Sequence, residues 1–214
     1  MKKNCYAVLI ADVVGSSARR NLRGMLGQRL AAASRAHAKA KLIRLPYSVT
    51  AGDEFQTIVS AYARIPELIM DLRIRLRPLQ LRIGVGFGTV PGRIQSPVNR
   101  LGGEAFQFAR KALERIKGSA GNKFEVLTAF ESRDKAFNST ANLIYALHDT
   151  LVLRITEKQW ETIEVFRNRR RLEDAAQELG LDNSTVSRNL KRGYFWQMED
   201  TAEEMKAVIK EHFG

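Results

Sequence analysis

Residues 81–88 read Leu-Arg-Ile-Gly-Val-Gly-Phe-Gly, and no other stretch restricts the fold of this chain so tightly. Leu81, Ile83, Val85 and Phe87 alternate with Arg82, Gly84, Gly86 and Gly88. Alternate residues of a strand share a face, so one face is apolar and the other is stripped nearly to backbone. A bare face admits something at close range, either a packed helix or a ligand. The strand therefore belongs inside a layered domain.

The flanking sequence supplies the other layers. Cys5 to Ala11 is a continuous apolar run, the mark of a strand buried on both faces, and Asp12 is expected to end it. Leu22, Leu26, Leu30, Ala33, Ala36 and Ala40 recur at helical spacing, which predicts a helix from Asn21 to about Leu42. Tyr47–Ala51 and Glu54–Val59 read as a hairpin closed by Gly52-Asp53. A short helix over 68–76 is expected after Pro66. A longer one over 103–117 has Phe106, Ala109, Leu113 and Ile116 as its inner stripe, with Gly118 and Gly121-Asn122 as stop signals. Phe124–Ala129 reads as a last strand and Asn138–Leu153 as a connecting helix. Strands alternating with helices predict a layered α/β domain over 1–154.

A chain of 214 residues, 44% of them hydrophobic, has material for one ordinary domain and a small one. No apolar run approaches the ~18 residues of a membrane span. The short run after Lys2-Lys3 is read as a strand and not a secretory leader, so a cytoplasmic protein is expected. One cysteine, Cys5, supports neither an internal disulfide nor a cysteine-based zinc site. His37, His148 and His212 lack ligand spacing. The net charge of +12 is uneven: residues 1–154 carry 25 basic and 11 acidic side chains, residues 155–214 carry 10 and 12. The basic excess suits polyphosphates or a DNA backbone, or is simply a solvated surface.

Asp12 follows the first strand, and Asp53 sits at the hairpin tip. If their strands are neighbours, both carboxylates reach one end of the sheet. Carboxylates ~4 Å apart repel by ~4 kcal/mol at an effective dielectric of 20, so they call for a cation between them. Oxygen ligands suit Mg²⁺ or Mn²⁺. The plainer alternative makes Asp12 a cap and Asp53 a turn residue.

Beyond residue 155 the pattern is purely helical. Thr156 is a good N-cap for a helix with Trp160, Ile163 and Phe166 or Val165 inward. A helix over 172–179, a Gly180-Leu181-Asp182 turn and a helix over 183–192 follow. Ala176, Gly180, Val186 and Leu190 fall where a helix-turn-helix needs a small crossing residue, a turn and two anchors. Asn183, Ser184, Thr185, Ser187, Arg188 and Lys191 would then point outward to base edges and phosphates. Arg167 and Arg169–Arg171 suit the phosphate backbone, and the acidic final helix, with Glu199, Asp200, Glu203 and Glu204, should face away from DNA. The alternative is a helical bundle used for dimerisation.

These fragments carry a resemblance. Ile10-Ala11-Asp12-Val13-Val14-Gly15-Ser16 resembles the first metal-binding segment of class III nucleotide cyclases. Ala51-Gly52-Asp53-Glu54-Phe55 is similar to the cyclase Gly-Asp hairpin and to the GGDEF hairpin of diguanylate cyclases, and residues 81–88 match their glycine-containing strand. The segment 109–118 resembles the one whose lysine, here Lys117, contacts a triphosphate, and residues 156–192 resemble region four of sigma factors. In this order and with these helices, the whole chain resembles the SatD family. The resemblance implies an α+β sandwich of nucleotide-cyclase or ferredoxin-like type over 1–154 and a small all-α helix-turn-helix domain over 155–214. It implies metal at Asp12 and Asp53, and nucleotide at Gln107, Lys111 and Lys117. Cyclases carry Asn and Arg where Gln107 and Lys111 stand, and Gly where Ala51 stands. Arg19 and Arg20 are further candidates for phosphate, or the solvated start of a helix.

Three functions stay open at this point. The chain is a homodimeric transcription regulator on double-stranded DNA whose cyclase-like part senses a nucleoside triphosphate or cyclic nucleotide, or dimerises. It is a metal-dependent nucleotidyl cyclase or transferase with a helix-turn-helix module. Or it is an interaction scaffold without catalysis.

Overall fold

The computed structural model describes residues 5–16, 22–50, 52–118 and 125–214. Asn21, Ala51, Gly121-Asn122, Phe124 and the two candidate phosphate ligands Arg19 and Arg20 lie outside them. The chain is mixed α+β, with a five-stranded sheet ordered β2-β3-β1-β4-β5: β2 Ser48–Val49, β3 Phe55–Val59, β1 Cys5–Val13, β4 Leu81–Thr89 and β5 Thr128–Glu131. All neighbours are antiparallel except β4 and β5, which run parallel.

Helix α3 (Glu104–Gly118) covers one face of the sheet. On the other lie α1 (Leu22–Lys39), α2 (Ile65–Arg75), α4 (Lys135–Val152) and the end of α8 (Phe195–Phe213), packed on Ala7, Leu9, Phe55, Ile83 and Val85. The glycine face of β4 receives α3, not a ligand. A Cβ on Gly84 would lie 2.6 Å from the Leu113 backbone nitrogen, and one on Gly88 2.9 Å from that of Ala105. Only glycine permits so close a crossing of helix and strand.

Local chemistry moves several expected boundaries. β1 does not stop at Ala11 but carries Asp12 and Val13 in register with Arg82 and Leu81, because cationic side chains meet the Asp12 carboxylate. α2 starts at Ile65, with Pro66 inside the first turn, where a missing N–H leaves no bond unmade. β5 begins only at Thr128, after the carboxylate of Asp149 has taken the Leu127 and Thr128 amides at 2.8 and 2.6 Å. α4 begins at Lys135 and not Asn138, since Asp134 caps it by accepting from the Phe137 amide at 3.0 Å.

The remaining helices form a second cluster: α5 (Glu157–Arg169), α6 (Leu172–Leu179), α7 (Asn183–Arg192) and the start of α8. Trp160, Ile163, Phe166, Ala175, Val186, Leu190, Phe195 and Met198 are its core. α8 then leaves this core and ends in the first one, where Met205 and Ile209 are buried and Phe213 stacks on Phe87 at 4.2 Å. Among the described residues no helix is long and apolar enough to cross a membrane.

Candidate functional site

The antiparallel pairing of β1 with β3 sets Ala11 opposite Phe55. That register brings Asp12, Asp53 and Glu54 to one end of the sheet. The Val13 amide donates to Oδ2 of Asp53 at 3.2 Å, so the hairpin tip is tied to the end of β1. Asp12 shares the α3 side of the sheet with Val8 and Ile10 and is only 5% exposed.

Cations from α3 and β4 meet these carboxylates. Nζ of Lys117 lies 2.7 Å from Oδ2 of Asp12, and a guanidinium nitrogen of Arg82 lies 3.7 Å from the same oxygen. Arg110 grips Glu54 with two nitrogens, one of them 2.6 Å from Oε1, while Thr50 donates to that oxygen at 2.8 Å. Burial raises the Glu54 carboxyl, but the bonds from Arg110 and Thr50 outweigh it and hold the group below the usual range. Arg110 and Lys117 are seven residues apart, hence on one helix face. Two carboxylates, Asp12 and Glu54, are thus met by three cations, with Asp53 beside them on the Val13 amide and one acceptor left over: Oδ1 of Asp12 is buried without a hydrogen-bond partner.

The other two residues assigned to nucleotide are not part of this cluster. Lys111 projects towards β5 and pairs with Glu131 at 2.6 Å. Gln107 is exposed on α3. Asp12, Asp53 and Lys117 are legible in the sequence as site residues, whereas Glu54, Arg82 and Arg110 are added by the structure. The seven-residue spacing of Arg110 and Lys117 was a usable signal. Arg82 was not recoverable before the strand register was known.

The C-terminal cluster offers a second set of side chains. Gly180 adopts φ +64° after α6, and the Leu181 amide donates to the Ala176 carbonyl at 2.9 Å, which closes the turn. Asp182 caps α7: its carboxylate accepts from the Thr185 amide at 2.8 Å and from the Ser184 and Thr185 hydroxyls at 2.6 and 2.8 Å. Those bonds, the Ser184 hydroxyl first, drive its carboxyl well below the ordinary value. Val186 and Leu190 are buried, while Asn183, Ser184, Ser187, Arg188 and Lys191 are exposed on the opposite side. Thr185 is half-buried and occupied with the cap.

The arginines before α6 are engaged with carboxylates. Arg169 pairs with Glu178, Arg171 lies 3.9 Å from Glu173, and Arg167 and Arg170 lie 3.7 and 3.8 Å from Glu199. Arg167 is mostly buried, whereas Arg169, Arg170 and Arg171 are exposed.

The family model described as SatD family matches residues 6–196. None of the curated proteins compared with the chain matches it. Among solved structures, one similar chain is a bacterial light-regulated adenylyl cyclase, at 12% identity and TM-score 0.39 over 59% of this chain and 75% of that one. Another is an EAL/GGDEF domain protein from M. capsulatus, at 19% identity and TM-score 0.39 over 61% and 87%. A third is a regulator of polyketide synthase expression from Bifidobacterium adolescentis, at 15% identity and TM-score 0.31 over 99% and 88%.

Proposed function

The chain belongs to the SatD family, and from that premise we propose that it is a transcription regulator that reads double-stranded DNA with α7, in a helix-turn-helix formed with α6. One observation carries the reading: α7 buries Val186 and Leu190 and exposes Asn183, Ser184, Ser187, Arg188 and Lys191 on its other side. A helix of this kind fits a major groove, where Arg188 can fork onto guanine and Asn183 or Ser187 can bond base edges. Arg169 and Arg171 sit in exposed, solvent-screened ion pairs, which phosphates can displace. The test is selection from genomic fragments followed by gel shift at fixed salt. Arg188→Ala should weaken specific binding by ~1–3 kcal/mol. Unchanged affinity would remove α7 from the DNA and favour a dimerisation bundle.

A second reading concerns the sheet end, where the unpartnered Oδ1 of Asp12 favours it. Among the described residues no group of three or more His, Cys, Asp or Glu side chains is gathered as a metal cage. An all-oxygen pair with a spare acceptor nevertheless fits Mg²⁺ or Mn²⁺ completed by ligand phosphates. Asp12 and Asp53 would hold the ion, which would neutralise phosphate charge. Lys117 and Arg110 would turn from their carboxylates to phosphate oxygens. Nucleotide sensing and nucleotidyl transfer both build on this arrangement. Incubation with each nucleoside triphosphate and Mn²⁺ separates them: new nucleotide products mark an enzyme, binding alone a sensor.

A further inference from the structure

The turn between α2 and β4, the end of α4 and the start of α5 border a half-open cavity of about 160 Å³. It lies on the seam between the two packed cores. Arg73, Arg77 and Gln80 line it from the sheet side, and Leu153, Glu157 and Trp160 from the helical side. None of these residues takes part in the Asp12 cluster or in the exposed face of α7.

The two arginines that line it are incompletely satisfied. Arg73 is 5% exposed; it donates to the Leu81 carbonyl at 3.0 Å and the Thr128 hydroxyl at 2.7 Å, and lies 3.4 Å from Asp149. Its Nε is buried without a partner, as are Nε and one terminal nitrogen of Arg77. The other terminal nitrogen of Arg77 is 3.4 Å from Glu164. Burial lowers the pKa of Arg73, partly offset by Asp149, which is the mark of a cation short of compensation. Three orphaned donors on two guanidiniums are costly to leave unmade. The cavity that both side chains line is far larger than the ~10–15 Å³ that a single water needs. α5 also opens here, its first residue Glu157 at the wall, so the positive end of a 13-residue helix adds to the field.

We propose that this seam cavity binds a small oxyanion, the phosphate or carboxylate group of a metabolite, held by Arg77 and Arg73 with Trp160 as its wall. The planar guanidinium fork matches an oxyanion in a way that a point charge does not. Glu157 is exposed, so its carboxylate has room to face water. A ligand here would join the α2–β4 turn to α5, and so tie the sheet to the helices that carry α7. Such a site would be present whatever α7 binds.

Trp160 is the reporter, since the only other tryptophan, Trp196, is exposed and can be replaced by Phe. The full chain carrying Trp196→Phe is titrated with sodium orthophosphate, and separately with sodium succinate. Sodium chloride at matched ionic strength is the control. A saturable change in Trp160 emission with one oxyanion, absent with chloride and accompanied by a higher melting temperature, is expected. Whether phosphate or succinate produces it assigns the group. Arg77→Gln should weaken that binding at least tenfold while circular dichroism stays unchanged. Should Arg77→Gln not fold, Arg77→Lys keeps the charge and removes the fork, and it should also bind more weakly. A response to both oxyanions no larger than to chloride, or undiminished affinity in the Arg77 variants, would leave the cavity to water and overturn the proposal.

Discussion

Replacing Gly84 by Ala tests whether the bare face of β4 is there for α3. The added Cβ would lie 2.6 Å from the Leu113 backbone nitrogen and 3.0 Å from the Leu113 Cβ, and would also clash with the Ala109 carbonyl. Ordinary contact begins near 3.4 Å, so the helix must retreat by at least about 0.8 Å, and a gap of that size forfeits a quarter to a half of each dispersion contact across it. The partners are backbone atoms and cannot turn aside. Overpacking typically costs ~1–3 kcal/mol, and this substitution belongs at the upper end, about 3 kcal/mol. For a chain of this size that is a fall of ~6–12 °C in melting temperature. Urea unfolding with a common m-value measures it. Gly24→Ala and Gly27→Ala on α1 supply the contrast, because a Cβ there meets nothing within 4 Å. Both should be neutral or stabilising by ~0.5–1 kcal/mol. If Gly84→Ala costs less than ~1 kcal/mol, α3 does not depend on that bare strand face.

Three further outcomes follow from the geometry. Asp149→Asn should destabilise by ~3–5 kcal/mol in urea unfolding, because the carboxylate is fully buried, anchors the Leu127 and Thr128 amides at the start of β5 and is the counter-charge of Arg73. Asp71 should contribute acid-sensitive stability: burial raises its carboxyl, but hydrogen bonds from His37 and Arg75 overcome this and hold it below the usual value. Its contribution is therefore complete above the unfolded pKa of ~3.9 and lost as pH falls through the lowered one, so Asp71→Asn should flatten the acid limb of stability against pH. Mn²⁺ with GTP or ATP should raise the melting temperature of wild type and not of Asp53→Asn, whereas lower stability of that variant without metal would make Asp53 a turn residue tied to Val13.

What the sequence made legible was local. The period-two glycines announced a close-packed strand, and Asp182, Gly180 and the spacing of Val186 and Leu190 placed α6, its turn and α7 where the structure has them. Each signal there lies within one or two turns of the residues it organises. What was hidden depends on partners far along the chain. Arg82 faces Asp12 only through the β1–β4 register, and Glu54 meets Arg110 across 56 residues. The start of β5 is fixed by Asp149, a residue of α4. Buried His37, bonded to Tyr47 at 2.8 Å and to Asp71 at 2.6 Å, had no recognisable spacing, since its partners come from separate elements.

The return of α8 bears most on how the two cores communicate. From sequence, the connecting helix over 138–153 is the element expected to carry a rearrangement of the sheet domain to α7. α2 and α4 lend Met70, Ile74 and Val152 to the helical core from the sheet side, and α8, which starts in the helical core, reaches back into the sheet core. Phe195 and Met198 sit with Val186 and Leu190, while Met205 and Ile209 sit with the sheet. Its far end is fixed by stacking of Phe213 on Phe87, a bond from the Tyr62 hydroxyl to the Phe213 carbonyl at 2.9 Å, and His212 on Asp134 at 2.7 Å. A continuous helix of 19 residues spans ~28 Å. A shift of β4 under Phe213 therefore reaches the base of α7 through one rigid rod, with no flexible linker to absorb it. On this geometry a ligand at the sheet end and DNA at α7 should be coupled, by ~1–3 kcal/mol if the coupling is of ordinary size, and reciprocally in both affinities. Operator titration with and without saturating nucleotide and Mn²⁺ reads the coupling. Replacing Phe213 with Ala should reduce it while leaving DNA affinity in the absence of nucleotide unchanged. Equal coupling in Phe213→Ala would show that the α8 anchor does not carry the signal.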